Sequence, residues 1–132
     1  MAITIVRLGS KRRRGEGVRI GTVRRPPRGV PRGEIARRDF YDQWLPELAP
    51  SEALVKRALS AETEHDWATF VRAYRREMSR PAAARLLGLL AALSRTTAFS
   101  VGCYCEDEQR CHRSVLRELL REHGAQVALA KS

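Results

Sequence analysis

The stretch "TTAFSVGCYCEDEQRCHRSVLRELLREHG", which runs from Thr96 to Gly124, decides how this chain folds. Its first ten residues are β-prone and almost uniformly apolar, as the buried strands of parallel sheets are. A helical pattern follows, in which Asp107 is expected to be the N-cap and Gly124 to end the last turn. The apolar side of that helix consists of Val115, Leu116, Leu119 and Leu120. A buried strand followed by an amphipathic helix is typical of α/β proteins.

Shorter β-prone segments lie before and after this unit. "ITIVRLGS", residues 3–10, is rich in β-branched residues and is predicted to be a strand. "VRIGTV", residues 18–23, is predicted to be a second strand. Its alternation places three side chains on one face, those of Val18, Ile20 and Thr22. "AQVALA", residues 125–130, is a candidate for the last strand.

The middle of the chain is predicted to be helical. Apolar residues recur at helical spacing in three stretches, at residues 51–60, 63–79 and 80–95, and residues 39–51 predict a short helical turn. Residues 24–38 or so form a basic loop that is rich in proline and glycine. Strands that alternate with helices predict an α/β fold. We therefore expect a single three-layer-like domain over residues 1–132, with a small, partly parallel sheet flanked by helices.

The composition limits the classes of function. The 132 residues suffice for one core, and they contain no apolar run long enough to cross a membrane, so no membrane partner is expected. Apolar residues precede the basic ones at the N-terminus, which is the reverse of a secretory signal. The three cysteines are an odd number and lie close together, which favours a cytoplasmic protein without disulfides. We expect no cofactor, and either a monomer or a homodimer formed through the apolar helix at residues 80–95.

The turn between the predicted strand and helix, at residues 103–114, is the candidate functional site. Ligands of parallel sheets gather at the carboxyl ends of the strands, and the N–H groups that begin a helix attract anions. Arg110 and Arg113 lie in this turn, and Arg24 and Arg28 follow the second predicted strand. If the two strands are parallel neighbours, these four arginines would clamp the phosphate or carboxylate of a small anionic ligand.

The same turn carries candidate catalytic residues. Cys105 and Cys111 are candidate nucleophiles, because a helix start and nearby arginines lower the pKa of a thiol. His112 is a candidate acid or base, since the pKa of an unperturbed histidine lies near 6.5. In the alternative, the turn is only structural and its arginines pair with the neighbouring acids, Glu106, Asp107 and Glu108. The residues leave open whether the protein is an enzyme.

A metal site is another interpretation of the turn. Zinc or iron would suit a set of soft ligands made of Cys103, Cys105, Cys111 and His112. The spacing of these residues, C-x-C-x5-C-H, differs from the C-x2-C pairs of zinc sites. Adjacent residues of a helix, such as Cys111 and His112, also point about 100° apart. The sequence therefore favours a site without metal.

Net charge indicates a second class of function. The 25 lysines and arginines exceed the 15 acids, which gives a net charge of +10. Basic residues crowded ahead of the first clear helix are typical of nucleic-acid-binding proteins. The chain has few aromatic residues and no motif of a sequence-reading domain. The alternative function is therefore weak, non-specific association with nucleic acid.

Several motifs resemble one known family. "CYCEDEQRCHRSVLRELL" is similar to the closing C-x-C-E-x-x-x-x-C-H-R motif of domain-of-unknown-function family 488. "VRIGTVRRPPRG" is similar to the R-x-L-W-P-R-G segment of its YeaO-like branch, and "WLPELAPS" and "HDWATFVRAYRREM" resemble two further segments of that branch. The resemblance covers most of the chain. It implies a compact α/β domain and no settled activity.

The resemblance also marks individual positions. The branch usually has an acid where this chain has Val23 and a tryptophan where it has Pro26. If the ligand of the branch contacts that acid or that tryptophan, this chain is expected to bind a different ligand. The motif residues that carry over are Arg24, Arg28, Cys105, Arg110, Cys111, His112 and Arg113.

Overall fold

The computed structural model describes residues 2–105, 107 and 110–128 of the chain. It shows an α/β fold with a small parallel sheet flanked by helices, as predicted. The strands are β1 (Ile3–Arg7), β2 (Val18–Gly21), β3 (Gln43–Trp44) and β4 (Phe99–Cys103). The helices are α1 (Glu52–Ser60), α2 (Glu64–Met78), α3 (Pro81–Leu93) and α4 (His112–Glu122). Within the described residues, none of the helices has the length and apolar character that crossing a membrane requires.

β4 lies inside the sheet, whose order is β1-β4-β2-β3. All these pairs are parallel, and Phe99 of β4 lies between Ile3 of β1 and Val18 of β2. The carboxyl ends of the strands therefore meet at one edge, as the sequence predicted for a ligand site. Val127 adds an isolated parallel bridge to Ile3, which supports the predicted last strand. Residues 129 and 130 of that prediction lie outside the described residues.

Two local predictions need correction. β3 falls within residues 39–51, where a helical turn was expected, although Pro46–Leu48 does form a 3-10 turn there. With two residues, β3 is too short to show a period in the sequence. Asp107 is not the N-cap of α4, because the backbone at Cys111 is still extended (φ −128°, ψ 151°) and Cys111 takes that position.

Other helix ends follow the sequence closely. Ser51 caps α1, and Thr63 caps α2 in a reciprocal pair of hydrogen bonds with Asp66. Gly124 follows α4 with a φ of +92°, as its predicted role requires. There the N–H of Ala125 donates to the carbonyl of Leu120 at 2.9 Å, which closes the last turn.

The two faces of the sheet have different coverings. The main core packs α2, α3 and α4 against one face, which includes Ile3, Ile20, Phe99 and Val101. Side chains alternate along a strand, so Arg19 and Ser100 point to the opposite face. Glu16 is buried there against both of them, which places the loop before β2 over that face.

Candidate active site

A cavity of about 400 Å³ opens at the carboxyl edge of the sheet. Its wall combines the residues after β2, the start and one side of α1, the end of β4 and the first residue of α4. The wall is mainly apolar and includes Val23, Pro50, Val55 and Leu59. Cys105 and His112 also line it. The cavity thus lies at the strand-to-helix turn that the sequence singled out.

His112 is held in one tautomer. Its ring is buried, and Nε2 lies 2.7 Å from the carbonyl oxygen of Thr22. Because a carbonyl only accepts hydrogen bonds, Nε2 carries the proton. Nδ1 is then an acceptor, and it faces the Sγ of Cys111 at 3.8 Å. Burial lowers the pKa of His112 to about 4, so the ring is neutral at neutral pH.

The three cysteines of the chain come together beside this ring. Cys103 and Cys111 are buried, with their Sγ atoms 2.8 Å apart. The backbone N–H of Cys105 points to the Sγ of Cys103 at 3.4 Å. Cys105 itself is exposed and reaches the cavity. The cluster therefore has two thiols in the interior and one that a ligand can touch.

The contacts within this cluster make the three thiols differ in acidity. Hydrogen bonds with the thiols of Cys103 and Cys111 hold the pKa of Cys105 far below its usual value, and the charge of Arg113 lowers it further. The same contact with Cys105 raises the pKa of Cys103. For Cys111, the contact with Cys103 lowers the pKa, but the contact with Cys105 and burial raise it to about 11. These contacts therefore favour loss of the proton from Cys105 over loss from Cys103 or Cys111.

Of the four predicted arginines, Arg24 lines the cavity, whereas Arg113 is not part of the cavity wall and lies beside the cysteine cluster. Arg113 is 3% exposed, and its Nη2 donates to the carbonyl of Cys105. Its Nε is buried and has no hydrogen-bond partner among the described residues. Arg24 lines the cavity and donates from Nε and Nη2 to the carbonyls of Pro50 and Ala49, both at 3.1 Å. An unpartnered buried N–H such as that of Arg113 marks a place for a ligand or a water molecule.

The other two predicted arginines lie apart from the cavity wall. Arg110 points toward α2, where its Nη2 lies 2.6 Å from the carboxylate of Glu64 and its guanidinium 5.7 Å from the centre of the Trp67 ring. Arg28 is exposed in the loop after β2. Glu106 and Glu108, two of the acids expected to pair with arginines in a purely structural turn, lie outside the described residues.

Some residues of the cavity wall escaped the sequence analysis. Arg25 lines the cavity and pairs with Glu52, while the hydroxyl of Tyr104 donates to the carbonyl of Arg25 at 2.8 Å. Lys56 reaches the wall from α1. The tandem of Arg24 and Arg25 was a signal in the sequence. No sequence signal marked Lys56, because its place in the cavity wall depends on how α1 packs in the tertiary structure.

The same cluster holds a set of atoms that fits a metal ion. The ligand atoms of Cys103, Cys111 and His112 lie within 4.8 Å of one another, and all three residues are buried. Cys111 is not yet helical, so the angular offset between adjacent helical residues does not separate it from His112. Two sulfurs and an imidazole whose other nitrogen donates to a carbonyl suit zinc. Cys105, which the sequence analysis included among the ligands, is not part of this set.

Comparison with known proteins places the chain at the level of a family. A family model named DUF488-N3a and described as "Active DUF488-N3 subclade" matches residues 3–124. No curated protein and no solved structure matches the chain. The match confirms the resemblance to family 488 that the motifs indicated.

Proposed function

The chain belongs to the DUF488-N3a family, and we propose that it is an enzyme whose Cys105 thiolate attacks a small substrate bearing a phosphate or carboxylate. The description of the family as an active subclade supports catalysis rather than binding alone. The observation that carries the proposal is the position of Cys105, which is exposed at the cavity beside two buried thiols and next to Arg113 in space.

Arginines would bind the anionic group of the substrate. The buried Nε of Arg113 needs an acceptor, and an anion supplies one. Arg24 uses Nε and Nη2 on carbonyls, and its Nη1 has no hydrogen-bond partner among the described residues. Hydrogen bonds from guanidinium to phosphate or carboxylate are stronger than those between neutral groups. The apolar wall would hold the uncharged part of the substrate.

Cys105 would carry the covalent chemistry. Its Sγ forms a bond with the electrophilic atom of the substrate, and the leaving group departs with the electron pair of the broken bond. A water molecule then attacks the same atom, displaces the thiolate and gives up a proton to the departed leaving group. The S–H groups of Cys103 and Cys111 stabilise the thiolate both before the attack and on its release. His112 acts as a positioning residue, because its Nε2–H is engaged by Thr22 and its Nδ1 faces Cys111.

Alkylation tests the nucleophile directly. Limited treatment with iodoacetamide, followed by peptide mass spectrometry, should modify Cys105 much faster than the other two cysteines. Inorganic phosphate should slow that modification if the anion binds beside the thiol. Cys105→Ser should abolish the fast reaction and any turnover of phosphate- and carboxylate-bearing esters. Equal, slow alkylation of all three cysteines would contradict the proposal.

A metal centre is the second candidate, and it rests on the convergence of Cys103, Cys111 and His112. In this case, the two buried sulfurs and the imidazole are the ligands, and Cys105, whose sulfur lies outside that set, would have to move toward them to complete a four-coordinate site. Plasma mass spectrometry of the purified protein distinguishes the two candidates. One zinc per chain, together with three thiols that resist alkylation until a chelator is added, would support the metal centre. Metal-free protein with one fast thiol would support the nucleophile.

A further inference from the structure

A second, basic groove runs along β1, separate from the cavity at the carboxyl edge. It has a volume of about 530 Å³ and lies between the loop of residues 9–17 on one side and Arg117 and Ala128 on the other. Among the described residues, it shares no lining residue with the first cavity. Its cationic side chains include those of Arg7, Lys11, Arg13, Arg14 and Arg117.

Three cations of this groove are not neutralised within the described residues. Lys11, Arg13 and Arg14 are exposed, and their side chains have no ion-pair or hydrogen-bond partner in the described part of the chain. Glu16 is the acid among the described lining residues. Its two oxygens are taken by buried Arg19 at 2.8 and 3.0 Å. Glu16 therefore does not neutralise the three exposed cations.

We propose that this groove binds the phosphodiester backbone of nucleic acid without reading its sequence. Cations spread along one loop and one strand suit a ligand with repeated negative charges, and the net charge of +10 favours encounter with it. The groove has no aromatic side chain among its described lining residues on which a base would stack. Contacts to phosphate position a protein on nucleic acid but carry no sequence information.

Anisotropy of a short, fluorescein-labelled DNA duplex measures this binding. The affinity should fall linearly with salt on logarithmic axes, with a slope of about −0.9 per neutralised phosphate. The triple variant Lys11→Gln, Arg13→Gln, Arg14→Gln should make that slope shallower by about 2 to 3 units, since three cations are lost. A duplex of unrelated sequence should bind equally well.

A matched triple variant controls for net charge. Arg57→Gln, Arg76→Gln, Arg85→Gln removes the same charge from exposed positions on α1, α2 and α3, outside the groove. It should change the slope much less than the groove variant does. Equal weakening by both variants would overturn the proposal, since overall charge would then explain binding. Displacement of the duplex by tripolyphosphate at equal or lower phosphate concentration would also overturn it in favour of a small ligand.

The groove variant and Cys105→Ser show whether the groove and the cavity act independently. The groove variant should leave the alkylation rate of Cys105 unchanged, because Cys105 lies in the other cavity. DNA binding by the Cys105→Ser variant should equal that of the wild type. Loss of DNA binding in Cys105→Ser would contradict the assignment of binding to the groove.

Discussion

Arg19 and Glu16 form a bidentate ion pair under the loop that joins β1 to β2. Nε lies 2.8 Å from Oε2 and Nη2 lies 3.0 Å from Oε1, and the two side chains are 0% and 3% exposed. Nη1 of Arg19 donates to the carbonyls of Ser10 and Asp39 at 2.8 and 2.7 Å. The hydroxyl of Ser100 donates to Glu16 at 2.8 Å. This network joins the loop that carries the cations of the basic groove to the two inner strands.

Glu16→Gln should destabilise the protein strongly. The substitution leaves the buried charge of Arg19 without its partner, and breaking a buried pair in this way costs about 3 to 5 kcal/mol. We expect a decrease of that order in the free energy of unfolding, measured by urea denaturation followed by circular dichroism.

Glu122→Gln is the matched control for this substitution. Glu122 also forms a bidentate pair, with Arg75 at 3.0 and 2.6 Å, but the two side chains are 54% and 39% exposed. Exposed pairs contribute less than about 1 kcal/mol. Equal losses of stability in the two variants would show that burial of the Arg19 pair is not what makes it important.

The Glu16 pair should also make stability depend on pH. Burial raises the pKa of Glu16, but hydrogen bonds from Arg19 and Ser100 outweigh it, so the pKa falls below the usual 4.5. The unfolded chain therefore takes up this proton before the folded one as the pH falls, and the stabilisation is lost in acid. The difference in unfolding free energy between wild type and Glu16→Gln should be constant near neutral pH and shrink below pH 4.5. A difference that grows in acid would contradict the depressed pKa.

The elements that the sequence predicted correctly are those whose apolar residues form a run or recur at regular spacing. The apolar run of β4 and the spacing of Trp67, Phe70 and Tyr74 in α2 are patterns that several residues share, and the structure confirms both elements. The structure also has a cavity next to the turn that the sequence singled out, at the edge where the carboxyl ends of the parallel strands meet.

Features that depend on a single tertiary contact could not be predicted from the sequence. Arg19 lies within a β-branched strand, and its complete burial depends on Glu16, which lies in a loop with no period. The separation of the predicted arginines had a similar cause. Arg110 and Arg113 are three residues apart, but Arg110 precedes α4 and meets Glu64 of α2. Arg113 lies inside α4 and turns toward Cys105.

Gly17→Ala should destabilise the protein more than Gly15→Ala. Both glycines have a left-handed backbone, with φ of +81° and +78°, so alanine costs about 1 to 2 kcal/mol at either position. A Cβ on Gly17 would lie 2.0 Å from the carbonyl oxygen of Ala98, whereas a Cβ on Gly15 would meet no atom of the described residues within 4 Å. Urea denaturation should therefore show a larger loss for Gly17→Ala. Similar losses would mean that the loop moves away from Ala98 at little cost.

Arg113→Lys should remove the protection of Cys105 by phosphate. Lysine keeps the charge but lacks the planar group of donors through which Arg113 holds the Cys105 carbonyl and presents its unpartnered Nε. Arg110→Lys is the matched control, since Arg110 is exposed and pairs with Glu64 away from the cavity wall. Alkylation of Cys105 with and without phosphate should show protection in the wild type and in Arg110→Lys but not in Arg113→Lys, with folding checked by circular dichroism. Protection that persists in a folded Arg113→Lys protein would place the anion at Arg24, which lines the cavity, and not beside Arg113.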